Sequence, residues 1–313
     1  MRAVFSLNRH RYRQRLGQLL LIFSLTAVSL VAAIYLGNQP VVLGRIAVIG
    51  EVDLPPNGPF IFTTVDQEPT NAEFMTGKFD GYLALIANGE YQISTPKKKE
   101  MASVLRQWLA GTQPVEDNQI LSKVIGFMMM FLLMGGLNFS ALIGEDKEQH
   151  QLERLLISPL SLKTYLISQC LNAFLLLYLP TMGLLLVIQG IFRQELGASL
   201  LTYSGLIALI CALGVSFGTL MMSAFKTSDT ANMIGSATLV LSTVVSGSFG
   251  IIGKEHQWFT SFSQLFPQKS LLSLATISEG RIFLQTGYLI HVVCSSCLFL
   301  LGGILILGKK LKN

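Results

Sequence analysis

The sequence predicts an all-α polytopic membrane bundle of six transmembrane helices, with a small α+β extracytoplasmic domain between helices 1 and 2. Three observations predict it. Of the 313 residues, 51% are apolar and only 13% are charged, too little charge to dress a soluble globule of this size. Six apolar runs have the roughly 20-residue length that a helix needs to cross about 30 Å of hydrocarbon. Lys and Arg gather in the short segments on one side of those runs, the pattern of membrane topology.

The first run, residues 19–36, follows Arg9, Arg11, Arg13 and Arg15. It is longer than the apolar stretch of a secretory signal and no cleavage site follows, so a retained signal anchor is expected over residues 1–36. The next runs cover 120–143, 162–192, 200–225, 231–252 and 282–307, within a unit 120–313. An inward N-terminus places residues 1–18, 144–161, 226–230 and 308–313 in the cytoplasm, with Arg2, Lys147, Arg154, Lys226, Lys309, Lys310 and Lys312. Both termini are then cytoplasmic in a multi-pass plasma-membrane protein. The net charge of +5 and pI near 9.0 are accounted for by these flanks, so no nucleic-acid partner is expected.

Residues 37–119 have a different composition, with Pro55, Pro56, Pro59, Pro69 and Pro96 and a larger acidic share. They read as a folded outer domain: buried strands at 45–51 and 82–87, a short strand at 91–94, and a helix at 100–109. Thr70-x-x-Glu73 has the spacing of a capping box before another short helix. A further segment outside the cytoplasm is expected at 253–281.

The most informative stretch follows the second run. Leu152, Leu155 and Leu156 recur at helical spacing opposite Glu145, Glu148 and Arg154. That pattern predicts an amphipathic helix over 145–157 on the inner membrane surface, stopped by Ser158-Pro159. Such a helix is either an interfacial linker or a docking element for a cytoplasmic partner.

Here the chain resembles the membrane (permease) subunits of type-2 ABC transporters, the ABC-2-type export permease family. Those proteins join their second and third spans by an acidic stretch reading roughly Glu-x-Glu-x-Gly-Thr-Leu-Glu-Arg-Leu-Leu-x-Ser-Pro. Glu145 to Pro159 follows it closely, with His150-Gln151 where the family usually has Gly-Thr. Ser246-Gly247-Ser248-Phe249 and Ser263-Gln264-Leu265-Phe266-Pro267 resemble the family's Ser-Gly turn and Pro-containing element before the last span; Ile251-Ile252 replaces a proline common there. The resemblance implies an exporter subunit that forms the translocation pathway, pairs with a second like permease subunit as a homo- or heterodimer, and couples to two separate ABC ATPase subunits. Glu145, Glu148, Glu153 and Arg154 are the implied ATPase-coupling residues. ATP and Mg belong to the partner ATPase and no cofactor to this chain, which has no phosphate loop: around Gly253-Lys254, Ser248 and Glu255 replace the required glycine and hydroxyl.

Polar residues inside the apolar runs face the bundle or a cavity because lipid offers them no partner. Asn138, Asn172, Gln189, Asn232 and His291 are thus candidates to line the pathway, or simply to hydrogen-bond between helices. Gly214-x-x-x-Gly218 allows close helix approach, read as internal packing. Cys294-Ser-Ser-Cys297 reads as small-residue packing rather than a redox pair, since it sits in an apolar helix. Two other functions compete: a membrane sensor or immunity protein whose outer domain binds a ligand, and an intramembrane serine protease using Ser248 and His291. Neither a Gly-x-Ser-x-Gly elbow nor a His-Glu-x-x-His metal motif is present. Few charges in the spans argue for amphipathic, lipid-like or peptide cargo over strongly ionic cargo.

Overall fold

Long apolar runs become long helices. The computed structural model describes residues 16–37, 44–50, 60–65, 67–76, 78–85, 91–95, 99–109, 119–156, 161–192, 199–248, 261–276 and 286–310, and these residues are mostly helical with a small sheet. It divides into two units, residues 1–37 with 117–313, and residues 38–116.

The first unit contains α1 (Leu16–Gly37), and then α4 (Gln119–Glu148), α5 (Gln151–Leu156), α6 (Leu162–Phe192), α7 (Leu200–Ala224), α8 (Ser228–Val245), α9 (Pro267–Thr276) and α10 (Thr286–Lys310). Among the described residues four helices are long and apolar enough to cross a membrane: Leu121–Glu148, Leu162–Gly190, Leu200–Ala224 and Thr286–Lys310. Their outward faces agree: Leu179 on α6 and Leu298, Leu301 and Leu305 on α10 are each more than half exposed, an apolar surface that water would not tolerate. In α6, Pro180 lies inside the helix and removes one backbone donor; neighbouring Thr181 donates its hydroxyl to the Leu177 carbonyl at 2.6 Å.

The core of this unit is α4 against α7, and glycine makes it. A Cβ on Gly136 would lie 2.4 Å from the Gly214 carbonyl carbon, and one on Gly218 would lie 2.9 Å from the Gly136 oxygen. The two backbones therefore touch, and Ser140 stitches them by donating to the Gly136 carbonyl at 2.8 Å and to the Val215 carbonyl at 3.3 Å. This is the internal packing role read for Gly214 and Gly218. On the other side of α7, Gly303 brings α10 against Thr219 and Leu220, and Phe217 meets Phe299 edge to face at 5.6 Å.

The fifth apolar run differs from the expected 231–252. Its helix starts earlier, because the Thr227 side chain accepts from the Thr230 N–H at 3.3 Å and caps Ser228. It closes at Val245 in a turn with Gly247 at φ +82°, and residues 249–252 lie outside the described residues. The second run also extends further, through Glu148.

The second unit is a four-stranded sheet, β1 (Gly44–Ile49), β2 (Phe60–Val65), β3 (Gly81–Leu85) and β4 (Tyr91–Ser94), with α2 (Asn71–Met75) and α3 (Lys99–Leu109). The order is β2-β1-β3-β4, parallel across β2-β1-β3 and antiparallel for β3-β4. Alternation in β1 sends Ile46 and Val48 to one face, where Met101 and Leu105 of α3 pack, and Ala47 to the other, against Phe74 of α2 and Phe79. Strand β2 is absent from the sequence reading, although Phe-Ile-Phe-Thr-Thr-Val between Pro59 and Asp66 is rich in strand formers. At α2, Glu73 reaches back to the Thr70 N–H at 3.1 Å, while its own N–H is held by the Thr70 carbonyl at 2.9 Å. Lys78 bonds the same carboxylate at 2.7 Å. That bond first, and the Thr70 N–H second, hold the Glu73 carboxyl below its ordinary 4.5.

Candidate functional site: the α4–α5 turn and the helix ends around it

One end of the first unit gathers the ends of α4, α7 and α10 and the starts of α6 and α8. The expected single helix over 145–157 is divided there. Glu145 to Glu148 form the last turn of α4, Gln149 and His150 turn the chain, and α5 begins at Gln151. The break is conformational: His150 has φ +54°, the left-handed region that ends a helix and that histidine enters more readily than most residues. The turn is fastened by Gln149 N–H to the Glu145 carbonyl at 2.9 Å and His150 N–H to the Lys147 carbonyl at 3.2 Å. His150 Nδ1 lies 2.9 Å from a Glu153 carboxylate oxygen. Leu152 is buried, whereas Glu153 and Arg154 are exposed.

The residues just before the turn bind the bundle. Lys147 donates to the Met222 and Phe225 carbonyls, and Glu148 accepts the Ser228 N–H. Lys310, from α10, donates to the Ser223 carbonyl at 3.0 Å and the Ala224 carbonyl at 2.6 Å. Buried Asp146 accepts from the Tyr165 hydroxyl, which in turn accepts from Gln169 at 3.2 Å. Orphan carbonyls at the end of α7 thus meet ammonium groups, and the orphan N–H at the start of α8 meets a carboxylate. Glu145 is half-buried here, and Glu148 is exposed although one of its oxygens is engaged.

Residues 70–308 match the family model described as ABC-2 family transporter protein. The chain belongs to that family. It is an ABC-2-type permease, a membrane transport component. No curated protein matches it.

In this permease the left-handed residue of the turn is His150, which stands where the family sequence usually has glycine, the residue that adopts positive φ without steric cost. The intramembrane candidates separate into three groups. Asn138 is exposed and spends its amide on the Met134 carbonyl of its own helix at 3.0 Å, and Gln189 is half-buried on α6. Buried Asn172 and half-buried Asn232 each leave one side-chain atom, Nδ2 and Oδ1, without a hydrogen-bond partner among the described residues. His291 accepts from or donates to Ser270 of α9 at 2.8 Å.

The Ser248–His291 pairing required by the protease reading is replaced by this Ser270–His291 bond, and Ser248 Oγ has no partner among the described residues. Helix α9, within the segment 253–281 expected outside the cytoplasm, is largely buried and donates Gln268 Nε2 to Ser242 Oγ of α8 at 2.9 Å. Cys294 and Cys297 are exposed thiols on α10. Among the described residues no His, Cys, Asp or Glu cluster has the makings of a metal site.

Proposed function

We propose that this permease is the transmembrane subunit of an ATP-driven exporter, forming the translocation pathway with a second like subunit and taking its energy from two separate ATPase chains. Six helices would cross the plasma membrane: the four of span length together with α1 and α8. Residues 37–119 would lie outside, and both termini inside. ATP and Mg would be bound by the partner chains.

The observation that carries the reading is the α4–α5 turn. It presents Glu153 and Arg154, exposed, directly beyond a span-length helix, on a six-residue helix whose inner side is fixed by buried Leu152. A soluble partner pressing there meets a short lever rather than a loose loop. Glu145 and Glu148 complete the acidic edge of the docking surface. Asn172, Asn232, His291, Gln189 and Asn138 are the polar groups with which the spans would meet cargo, and Asn172 and Asn232, whose Nδ2 and Oδ1 lack a partner among the described residues, are the foremost of them. Purification of the tagged permease from its native membranes tests this reading. Stoichiometric recovery of an ABC ATPase whose Mg-ATP turnover depends on the permease is expected, and recovery of the permease alone from gently solubilised membranes would contradict it.

A further inference from the structure

The α4 dipeptide Lys147-Glu148 has no assigned role beyond Glu148's place on the docking edge, yet its two opposite charges grip two opposite helix ends. Lys147 holds carbonyls at the C-terminal end of α7, and Glu148 holds the first N–H of α8. Between those ends lie only Phe225, Lys226 and Thr227. Gly144 brings α4 in close: a Cβ there would stand 2.9 Å from the Ser228 Cβ and 3.0 Å from the Met222 sulfur. The same dipeptide leads through the hydrogen-bonded Gln149-His150 turn into α5. We infer that Lys147 and Glu148 are positioning residues that carry displacement of the docking helix α5 into the α7–α8 turn, so that these two helices move as a pair. The inference rests on the docking role proposed above for α5.

The physical case is one of matching. A helix C-terminus carries partial negative charge and a helix N-terminus partial positive charge, each concentrated in the terminal turn. A cation and an anion adjacent in sequence satisfy both at once, and charge-assisted bonds are the strong ones. Displacing α5 without moving the α7–α8 turn would break them and leave carbonyls and an N–H unpaired. Lys310 supplies an internal comparison, because it binds the same end of α7 from α10, a helix that does not run into α5 in sequence.

Hydrogen exchange on the permease–ATPase complex, with and without trapping by Mg-ATP and vanadate, tests the inference. In the parent, trapping is expected to change exchange in residues 149–156 and 225–231, the latter by about tenfold, as befits charge-assisted bonds that rearrange. Lys147→Met, which leaves the carboxylates of the docking edge in place, should keep the response at 149–156 and lose that at 225–231. Lys147→Arg should restore it when Glu148 is kept, and Lys310→Met should retain both responses. A response at 225–231 that survives Lys147→Met, or that Lys310→Met abolishes equally, would overturn the inference.

No response at 149–156 in the parent would instead contradict the docking reading. The relay is then decided on the permease alone by His150→Pro, which cannot keep φ +54°. Faster exchange at 225–231 in the parent background, absent from the Lys147→Met, Glu148→Gln background, supports the relay. No change in either background overturns it.

Discussion

Replacement of Gly136 by alanine should destabilise the membrane unit, against the helix propensity of the two residues. In an ordinary helix interior the exchange gains about 1 kcal/mol. Here the new Cβ would stand 2.4 Å from the Gly214 carbonyl carbon and 2.6 Å from the Val215 nitrogen, where ordinary contact begins at 3.4 Å. Both neighbours are backbone, so α4 and α7 must part by about 1 Å, loosening the 3.3 Å Ser140–Val215 bond and the apolar layers around it. Overpacking of this kind costs about 1–3 kcal/mol, and for a unit of this size each kcal/mol moves the unfolding midpoint by roughly 2–4 °C. Thermal unfolding in detergent, followed as the fraction of monodisperse protein after heating, should show a fall of several degrees. Gly205→Ala is the matched control, because Gly205 is also in a span-length helix and has nothing within 4 Å of the Cβ position; it should be neutral or stabilising. If Gly136→Ala behaves like Gly205→Ala, the backbone-on-backbone account of the α4–α7 crossing is wrong.

Three further outcomes are expected, the last from the proposed topology. Tyr165→Phe removes the donor to buried Asp146, and thermal unfolding should register a loss of about 1–3 kcal/mol, whereas Thr164→Ala, at the exposed start of α6, should cost less. Because the Glu73 pKa is lowered on folding, its stabilising contribution is fully present above the ordinary 4.5 and is lost as pH falls through the folded value; hydrogen exchange of residues 71–76 should accelerate over that range, and Glu73→Gln should flatten the response. Single cysteines at Asn57 and Asn313 should label with an impermeant reagent in intact cells at position 57 only, and the reverse pattern would invert the topology.

The apolar runs made the span-length helices legible, because nothing but a membrane helix needs so many consecutive apolar residues. Their ends were less so. Lys147 and Glu148 fall in the separate amphipathic helix expected over 145–157, yet they finish α4 because the ends of α7 and α8, some 75–80 residues later in sequence, supply their partners. The division between α4 and α5 depends on one left-handed histidine, which the resemblance marked only as a departure from Gly. Strand β2 had a usable signal that Pro59 and the turn-rich stretch before it obscured. The polar intramembrane residues were identifiable as a class by their cost in lipid, but not their assignments: Asn138 turned to its own helix, and His291 to Ser270 rather than Ser248.

The central claim, that the α5 surface docks an ATPase, is tested most directly by copurification of the ATPase with Glu153→Lys, Arg154→Glu permease. Each exposed charge is worth only about 0–1 kcal/mol in a surface pair, so both are reversed together to repel the partner. The account predicts that this variant inserts, keeps the parental unfolding midpoint within about a degree, since neither charge is buried, and no longer retains the ATPase. Parental ATPase recovery and parental Mg-ATP turnover with both charges reversed would contradict it.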